Sequence, residues 1–310
     1  MNVLLASPLS RGLFERAMIE SGGGRNNILP LAQLRRAGPH GQRSAQQDAV
    51  AFARLMGIQG TGAAALAALR RLPAAKVVDG LNMASMFNSR VFDSYSGPIL
   101  DGRLIPQSPE QAFKEGREAK VPVLVGANSD DLGFVAARTP AQLFLPFGKQ
   151  AAAARAAFYP GRAGNFQAVA QQVGRVEDMI EPARFVARQF AAAGESAYEY
   201  RFSYVAASLR KRLPGAPHSS EIPYVFDTVR MSTWAHFGRG ITAMDLETAR
   251  EMNAYWLNFA ETGNPNGPRL PHWPRITAHG NQLMNFTREG PRAETDPWKA
   301  QLDLVETIQP

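Results

Sequence analysis

The chain has 310 residues, 45% apolar and 20% charged, a composition ordinary for a globular protein of one large domain or two small ones. Cysteine is absent, which excludes a disulfide scaffold, a Cys-ligated metal and a thiol nucleophile. The net charge of +7 comes from scattered arginines with only short runs such as Arg210-Lys211-Arg212, whereas a nucleic-acid binder clusters basic residues on one face among aromatics.

The first residues, M-N-V-L-L-A-S-P-L, read as the tail of a buried helix with neither N-cap nor solvated lead-in. They lack the basic flank and long apolar core of a signal peptide, and nowhere does a run of about 18 apolar residues call for a membrane span. The compartment stays open. Residues 13–21 read as a short strand with Ser21 at its C-terminal end, then a Gly-Gly-Gly turn and a loop from Asn26 to about Arg43.

Ser44 to Met56 is helical, with Ala45, Ala49, Phe52, Ala53 and Met56 on one face and Gly57 as the stop. Ala63 to Leu72 is a second helix, ended by Pro73. From Asp93 to Ile105, Gly-Pro and Asp-Gly pairs mark turns around short strands. Lys120 to Ala127, K-V-P-V-L-V-G-A, is the clearest strand, a continuous apolar run of the kind a parallel sheet buries on both faces. Helices are expected over Ala141 to Phe158, Phe166 to Val173 and Val176 to Ala193. Ala197 to Tyr204 then alternates aromatic and polar residues as a strand. Thr242 to Thr262 is a long helix stopping at G-N-P-N-G, Gln282 to Phe286 a short strand, and Pro297 to Ile308 a terminal helix. No repeat and no long linker divides the chain, so residues 1–310 read as a single α/β domain.

Two strand ends carry chemistry. Directly after the 120–127 strand comes N-S-D-D-L-G, and acidic residues just past a parallel strand sit where α/β sheets place ligands and catalytic groups. After the 197–204 strand, Pro214, Gly215 and Pro217 make a turn that holds His218 at the rim of a core, in reach of solvent, substrate and a carboxylate. Taken singly, each reads more simply as a solvated loop. Together, acid then histidine follow the chain order Ser, Asp/Glu, His of α/β-hydrolases, in which the carboxylate orients the imidazole and the imidazole takes a proton from the serine. A G-x-S-x-G nucleophile elbow is absent from these 310 residues; its nearest imitation, Gly194-Glu195-Ser196-Ala197-Tyr198, lacks the second Gly and opens a strand. Five histidines without H-E-x-x-H spacing give no metal site, and His236, His272 and His279 read as surface or packing residues. Gly22 to Gly24 do not make a phosphate loop. Asn285-Phe286-Thr287 matches the N-glycosylation pattern.

Several blocks, in order, resemble the type B carboxylesterases, the family of para-nitrobenzyl esterases and cholinesterases. They are S-P-L-S-R-G-L-F-E-R-A-M-I-E-S-G at Ser7 to Gly22, G-P-I-L-D-G-R-L-I-P at Gly97 to Pro106, V-P-V-L-V-G-A-N-S-D-D at Val121 to Asp131, H-S-S-E-I-P-Y-V-F at His218 to Phe226 and Y-W-L-N-F-A-E-T-G-N-P-N-G at Tyr255 to Gly267, with Trp273-Pro274 beyond. The resemblance implies an α/β-hydrolase fold and ester hydrolysis through an acyl-enzyme, without a cofactor. His218 falls on the family's catalytic histidine, Asp131 on its acid, usually Glu, and Ser21 on a serine that supports the triad by hydrogen bonding. Leu132 stands where the family commonly has Gly, which keeps Asp130 open as the acid.

The family's elbow, G-E-S-A-G-G, would fall about half a dozen residues before Met1, with the glycine-rich oxyanion segment and the first strands further upstream. The expectation is therefore the C-terminal part of an incomplete α/β-hydrolase fold. It supplies acid and base to a serine it does not carry, acts on a small carboxylic ester only with that missing part, and is prone to self-association through an open sheet edge. The second reading is a cholinesterase-like binding module without an intact triad.

Overall fold

The computed structural model describes residues 1–25, 31–38, 43–79, 97–159, 165–232 and 240–309. The chain forms two compact units, one of Met1–Ile28 with Pro109–Pro310 and one of Leu29–Ser108. The larger unit opens with helix α1 (Asn2–Ala6) and strand β1 (Ala17–Glu20). The smaller contributes β2 (Ala32–Gln33), α2 (Ala45–Leu55), α3 (Ala63–Arg70), α4 (Ala74–Val77) and β3 (Ile99–Leu100), with β2 and β3 paired in parallel. In it, Ser44 and Gln47 close the capping box that starts α2. The chain then returns to the larger unit with α5 (Pro109–Lys114), β4 (Val123–Asn128), α6 (Pro140–Phe144), α7 (Ala151–Phe158), α8 (Phe166–Arg175) and α9 (Glu181–Ala192). It finishes with β5 (Ala197–Phe202), α10 (Ile222–Val225), α11 (Ala243–Thr262), the hairpin β6 (Gln282–Thr287) and β7 (Gly290–Thr295), and α12 (Lys299–Glu306).

The main sheet runs β1-β4-β5-β6-β7, parallel from β1 to β6, with β7 antiparallel to β6. The apolar run predicted as the clearest strand is its interior: every residue of β4 is buried. Side-chain alternation then sorts the core into two faces. Leu124, Tyr198, Tyr200, Phe202, Met284 and Phe286 pack with Trp273 and with Met252, Tyr255, Trp256 and Phe259 of α11. Val123, Val125, Ala17, Ile19 and Ala197 pack on the opposite face with Leu5, Phe113 and the α9 residues Phe185, Val186 and Phe190. Helices thus cover both faces of the parallel strands, as buried backbone in such a sheet requires.

Several expected elements change. The 13–21 strand shrinks to Ala17–Glu20, because Leu13 is exposed and Glu15 and Arg16 pair with each other at the surface. The opening run is a five-residue helix that buries Leu5 and Ala6 and leaves Leu4 exposed, followed by a 3₁₀ turn with Leu9 exposed. The single helix expected over Ala141 to Phe158 is broken between α6 and α7, where Gly148 takes φ +52° inside a 3₁₀ stretch that contains Pro146. The helix expected from Val176 begins as a π-turn over Val176–Ile180, immediately before Pro182, which has no N–H to return to the preceding turn. β7 escapes the sequence reading because G-P-R-A-E-T has no apolar run; as an edge strand it needs none, and it tolerates Pro291. Within the loop expected from Asn26 to Arg43, residues 26–30 and 39–42 lie outside the described residues, as do residues 93–96 of the Asp93 to Ile105 turns and His236.

Candidate active site

β4 delivers its last residue, Asn128, to the C-terminal edge of the sheet, and the chain turns there so that Asp131 points back under the strand end. Asp131 is buried and accepts four hydrogen bonds: from Ser21 Oγ at 2.5 Å, Asn128 N–H at 2.9 Å, Leu132 N–H at 2.8 Å and His218 Nδ1 at 2.7 Å. Ser21 reaches it because β1 ends there. Its N–H bonds Gly126 O at 2.9 Å, and its left-handed φ of +49° turns the chain out of the strand. Asp130, the alternative acid, faces elsewhere, with one carboxylate oxygen 2.5 Å from Arg175 Nη2.

His218 sits in the turn after β5. That turn is sewn to the end of β4 by Asp130 N–H to Ala216 O at 2.8 Å, Ala216 N–H to Ser129 Oγ at 3.0 Å, and a parallel bridge between Asp130 and Pro217. Gly215 suits this close approach, since a Cβ would lie 2.9 Å from Ser129 Oγ and 3.0 Å from Asp130 Cβ. The imidazole side chain is about one-third exposed, and its Nε2 bonds to none of the described residues. The hydrogen bond to Asp131 raises the His218 pKa above its ordinary 6.5, against the opposing effect of burial, and the charges of Asp131 and Glu221 add to the rise. Asp131, His218 and Ser21, singled out from three separated blocks, therefore form one hydrogen-bonded chain. Ser196 does not join it: its carbonyl accepts from Val123 N–H at the N-terminal ends of β4 and β5, across the sheet from Asp131.

The Carboxylesterase family profile matches residues 1–157 and 164–305. The chain belongs to the carboxylesterase family. Among its relatives, the fumonisin B1 esterase of Sphingopyxis macrogoltabida is 28% identical over 92% of this chain and 51% of its own length. Carboxylesterase 5A of Felis catus is 26% identical over 88% of this chain and 51% of its own. The chain thus spans about half the length of the curated relatives it matches. A solved PNB esterase superposes with a TM-score of 0.72 at 21% identity, covering 98% of this chain and 59% of that one, which establishes the α/β-hydrolase fold.

Beside this cluster, two residues escaped the sequence reading. Asn128 is a fully buried amide ending an otherwise apolar strand, and Glu221 is a nearly fully buried carboxyl three residues after His218. Burial pushes the Glu221 carboxyl up to about 7, and the nearby Glu20 and Asp131 charges add to the rise, while the amide of Asn128 donates to it and opposes it. Their signal was present: a polar residue at the buried end of a sheet strand demands a buried partner. Three residues beyond Asp131 the chain borders a cleft of about 480 Å³, lined by Phe134, Val135, Leu143, Pro146 and Glu177 among others. His272 and His279 are exposed. The glycosylation pattern falls on a buried strand residue, since Asn285 Nδ2 donates to Glu294 Oε1 at 2.6 Å, so the folded chain offers no acceptor amide there. No helix among the described residues is long and apolar enough to cross a membrane.

Proposed function

We propose that the chain is the C-terminal portion of a carboxylesterase domain and contributes the acid Asp131 and the base His218 of a serine carboxylic ester hydrolase, with the nucleophilic serine and oxyanion donors supplied by a segment outside these 310 residues. The observation that carries this reading is the Ser21–Asp131–His218 chain of hydrogen bonds, which leaves His218 Nε2 without a bond to any of the described residues. A binding module has no use for such an arrangement.

In this reading Asp131 holds the His218 tautomer with the proton on Nδ1, and Nε2 accepts the serine proton as Oγ attacks the ester carbonyl. Nε2–H then protonates the departing alcohol, and water hydrolyses the acyl-enzyme by the same steps in reverse. Ser21 and two backbone N–H groups fix the Asp131 carboxylate so that His218 is aimed before substrate arrives. Because the His218 pKa is raised, the neutral base forms only above the ordinary 6.5, and kcat/KM rises with pH through that higher value. The edge of the sheet at β1 is the place for a further strand, and self-association of the isolated chain follows from the same open edge.

The test is p-nitrophenyl butyrate hydrolysis by residues 1–310 alone and by a polypeptide that also carries a G-x-S-x-G segment before Met1. The expected result is no turnover above that of His218→Ala for the first, and turnover lost on the order of 10⁴-fold in His218→Ala or Asp131→Asn for the second. Saturable turnover by residues 1–310, abolished by His218→Ala, would refute the shared-nucleophile reading; an inert longer polypeptide would refute the esterase.

A further inference from the structure

The two loops that meet at the site, one carrying Asp131 and the other His218, touch a common side chain. Asn128 is completely buried at the end of β4. Its own N–H donates to Asp131 Oδ2 at 2.9 Å, while its side-chain Nδ2 donates to Pro217 O at 2.7 Å and to the Glu221 carboxylate. Pro217 immediately precedes His218 and Glu221 closes the turn that follows it, so one amide grips the histidine's turn on both sides. An asparagine amide has two hydrogens, and both are committed.

We infer that Asn128 is a positioning residue, whose side-chain amide fixes the backbone on either side of His218 to the strand that carries Asp131. This rests on the acid–base reading of Asp131 and His218, and deepens it.

The bonds from Ser129 and Asp130 hold only the approach to His218, at Ala216 and Pro217. Beyond the histidine, Ser219 stands at φ +65°, a backbone conformation that a non-glycine residue keeps only when its surroundings hold it. The hold downstream is Glu221, and among the described residues Asn128 is the only side chain that donates to its carboxyl. Glu221 is otherwise poorly placed to stay charged, being buried beside Asp131 and Glu20. The neutral amide thus does two things: it donates to an acceptor on each side of the histidine, and it keeps the ring where Nδ1 meets Asp131. A leucine of similar volume would fill the space and leave Pro217 O and Glu221 without that donor.

The experiment is an NMR titration of His218 in residues 1–310, which needs no turnover and so reads Asn128 even if the esterase proposal fails. Wild type should show a His218 pKa above 6.5 and a low-field Nδ1–H resonance bonded to Asp131. Asn128→Leu should move the pKa down toward 6.5 and broaden that resonance. Thr242→Ala, a destabilising change at the start of α11 with no bond to His218, Asp131 or Asn128, should leave both unchanged, which separates positioning from loss of stability. Should Asn128→Leu not fold, Asn128→Ala, which removes the same two donor hydrogens without filling the space with a branched side chain, is expected to move His218 the same way. In a polypeptide with turnover, Asn128→Leu should lower kcat on the order of 10²-fold with KM little changed. An unaltered His218 pKa and Nδ1–H resonance in Asn128→Leu, or in Asn128→Ala if the former does not fold, would overturn the inference.

Discussion

Replacing Glu199 by Gln tests how the sheet handles a charge it buries completely. Glu199 lies in the middle of β5, on the face opposite Tyr198 and Tyr200, and both its carboxyl oxygens are without a hydrogen-bond partner among the described residues. Burial first, and then the charge of Asp296, push its pKa from 4.5 to about 8, against the pull of Arg201, Arg184 and Arg188. A carboxyl whose pKa is raised in the fold holds a proton that the unfolded chain has released. Its contribution is therefore complete below the unfolded value and is lost as pH rises toward the folded one. Each pH unit inside that window removes about 1.4 kcal/mol, so from pH 5 to pH 7.5 wild type loses roughly 3 kcal/mol at this residue. Gln keeps the shape and cannot titrate. Urea unfolding of both proteins, followed by tryptophan fluorescence across that range, gives the difference between them. Glu177, Asp178 and Glu221, whose pKa values are also raised, are common to both and cancel in it. Glu199→Gln should gain roughly 3 kcal/mol on wild type as pH rises from 5 to 7.5. A difference that stays constant over that range would mean that Glu199 is ionised in the fold, paired with Arg201 or Arg184, and would refute the reasoning.

Two further substitutions test the frame that presents the site. In Gly126→Ala the new Cβ would lie 2.3 Å from both the ring and the carbonyl oxygen of Tyr200, in a strand buried along its whole length, so the change should destabilise by about 1–3 kcal/mol and lower the thermal midpoint. An unchanged midpoint would show that β4 and β5 can spread at that level. Thr242→Ala removes the hydroxyl half of the capping box that starts α11, where Thr242 Oγ1 accepts from Asp245 N–H at 3.3 Å. It should cost about 1 kcal/mol in urea unfolding, while a loss below a few tenths would assign the helix start to the Asp245 carboxylate alone.

What the residues determined by themselves was local and periodic. The run V-L-V-G-A can only be a doubly buried strand, because nothing in it can face water, and β4 is that strand. The aromatic alternation of Tyr198, Tyr200 and Phe202 gave β5 and its core face, and the G-N-P-N-G stop gave the end of α11, with Gly263 in the left-handed cap at φ +75°. The motif blocks pointed to Ser21, Asp131 and His218. The break at Gly148 and the π-turn before Pro182 were also written in the chain, since glycine admits a non-helical backbone and proline lacks the N–H a helix interior needs. Tertiary structure alone decided between Asp130 and Asp131 as the neighbour of His218. Adjacent residues have the same composition and the same strand end, and only the fold shows one facing Arg175 and the other facing the imidazole. It alone revealed Asn128 and Glu221 as partners and sank Asn285 into the sheet, because hydrogen bonds between residues far apart in sequence leave no period to read. Local preference fixes which segments are strands and helices; which polar groups must satisfy one another is set only when the packed layers close and water is excluded.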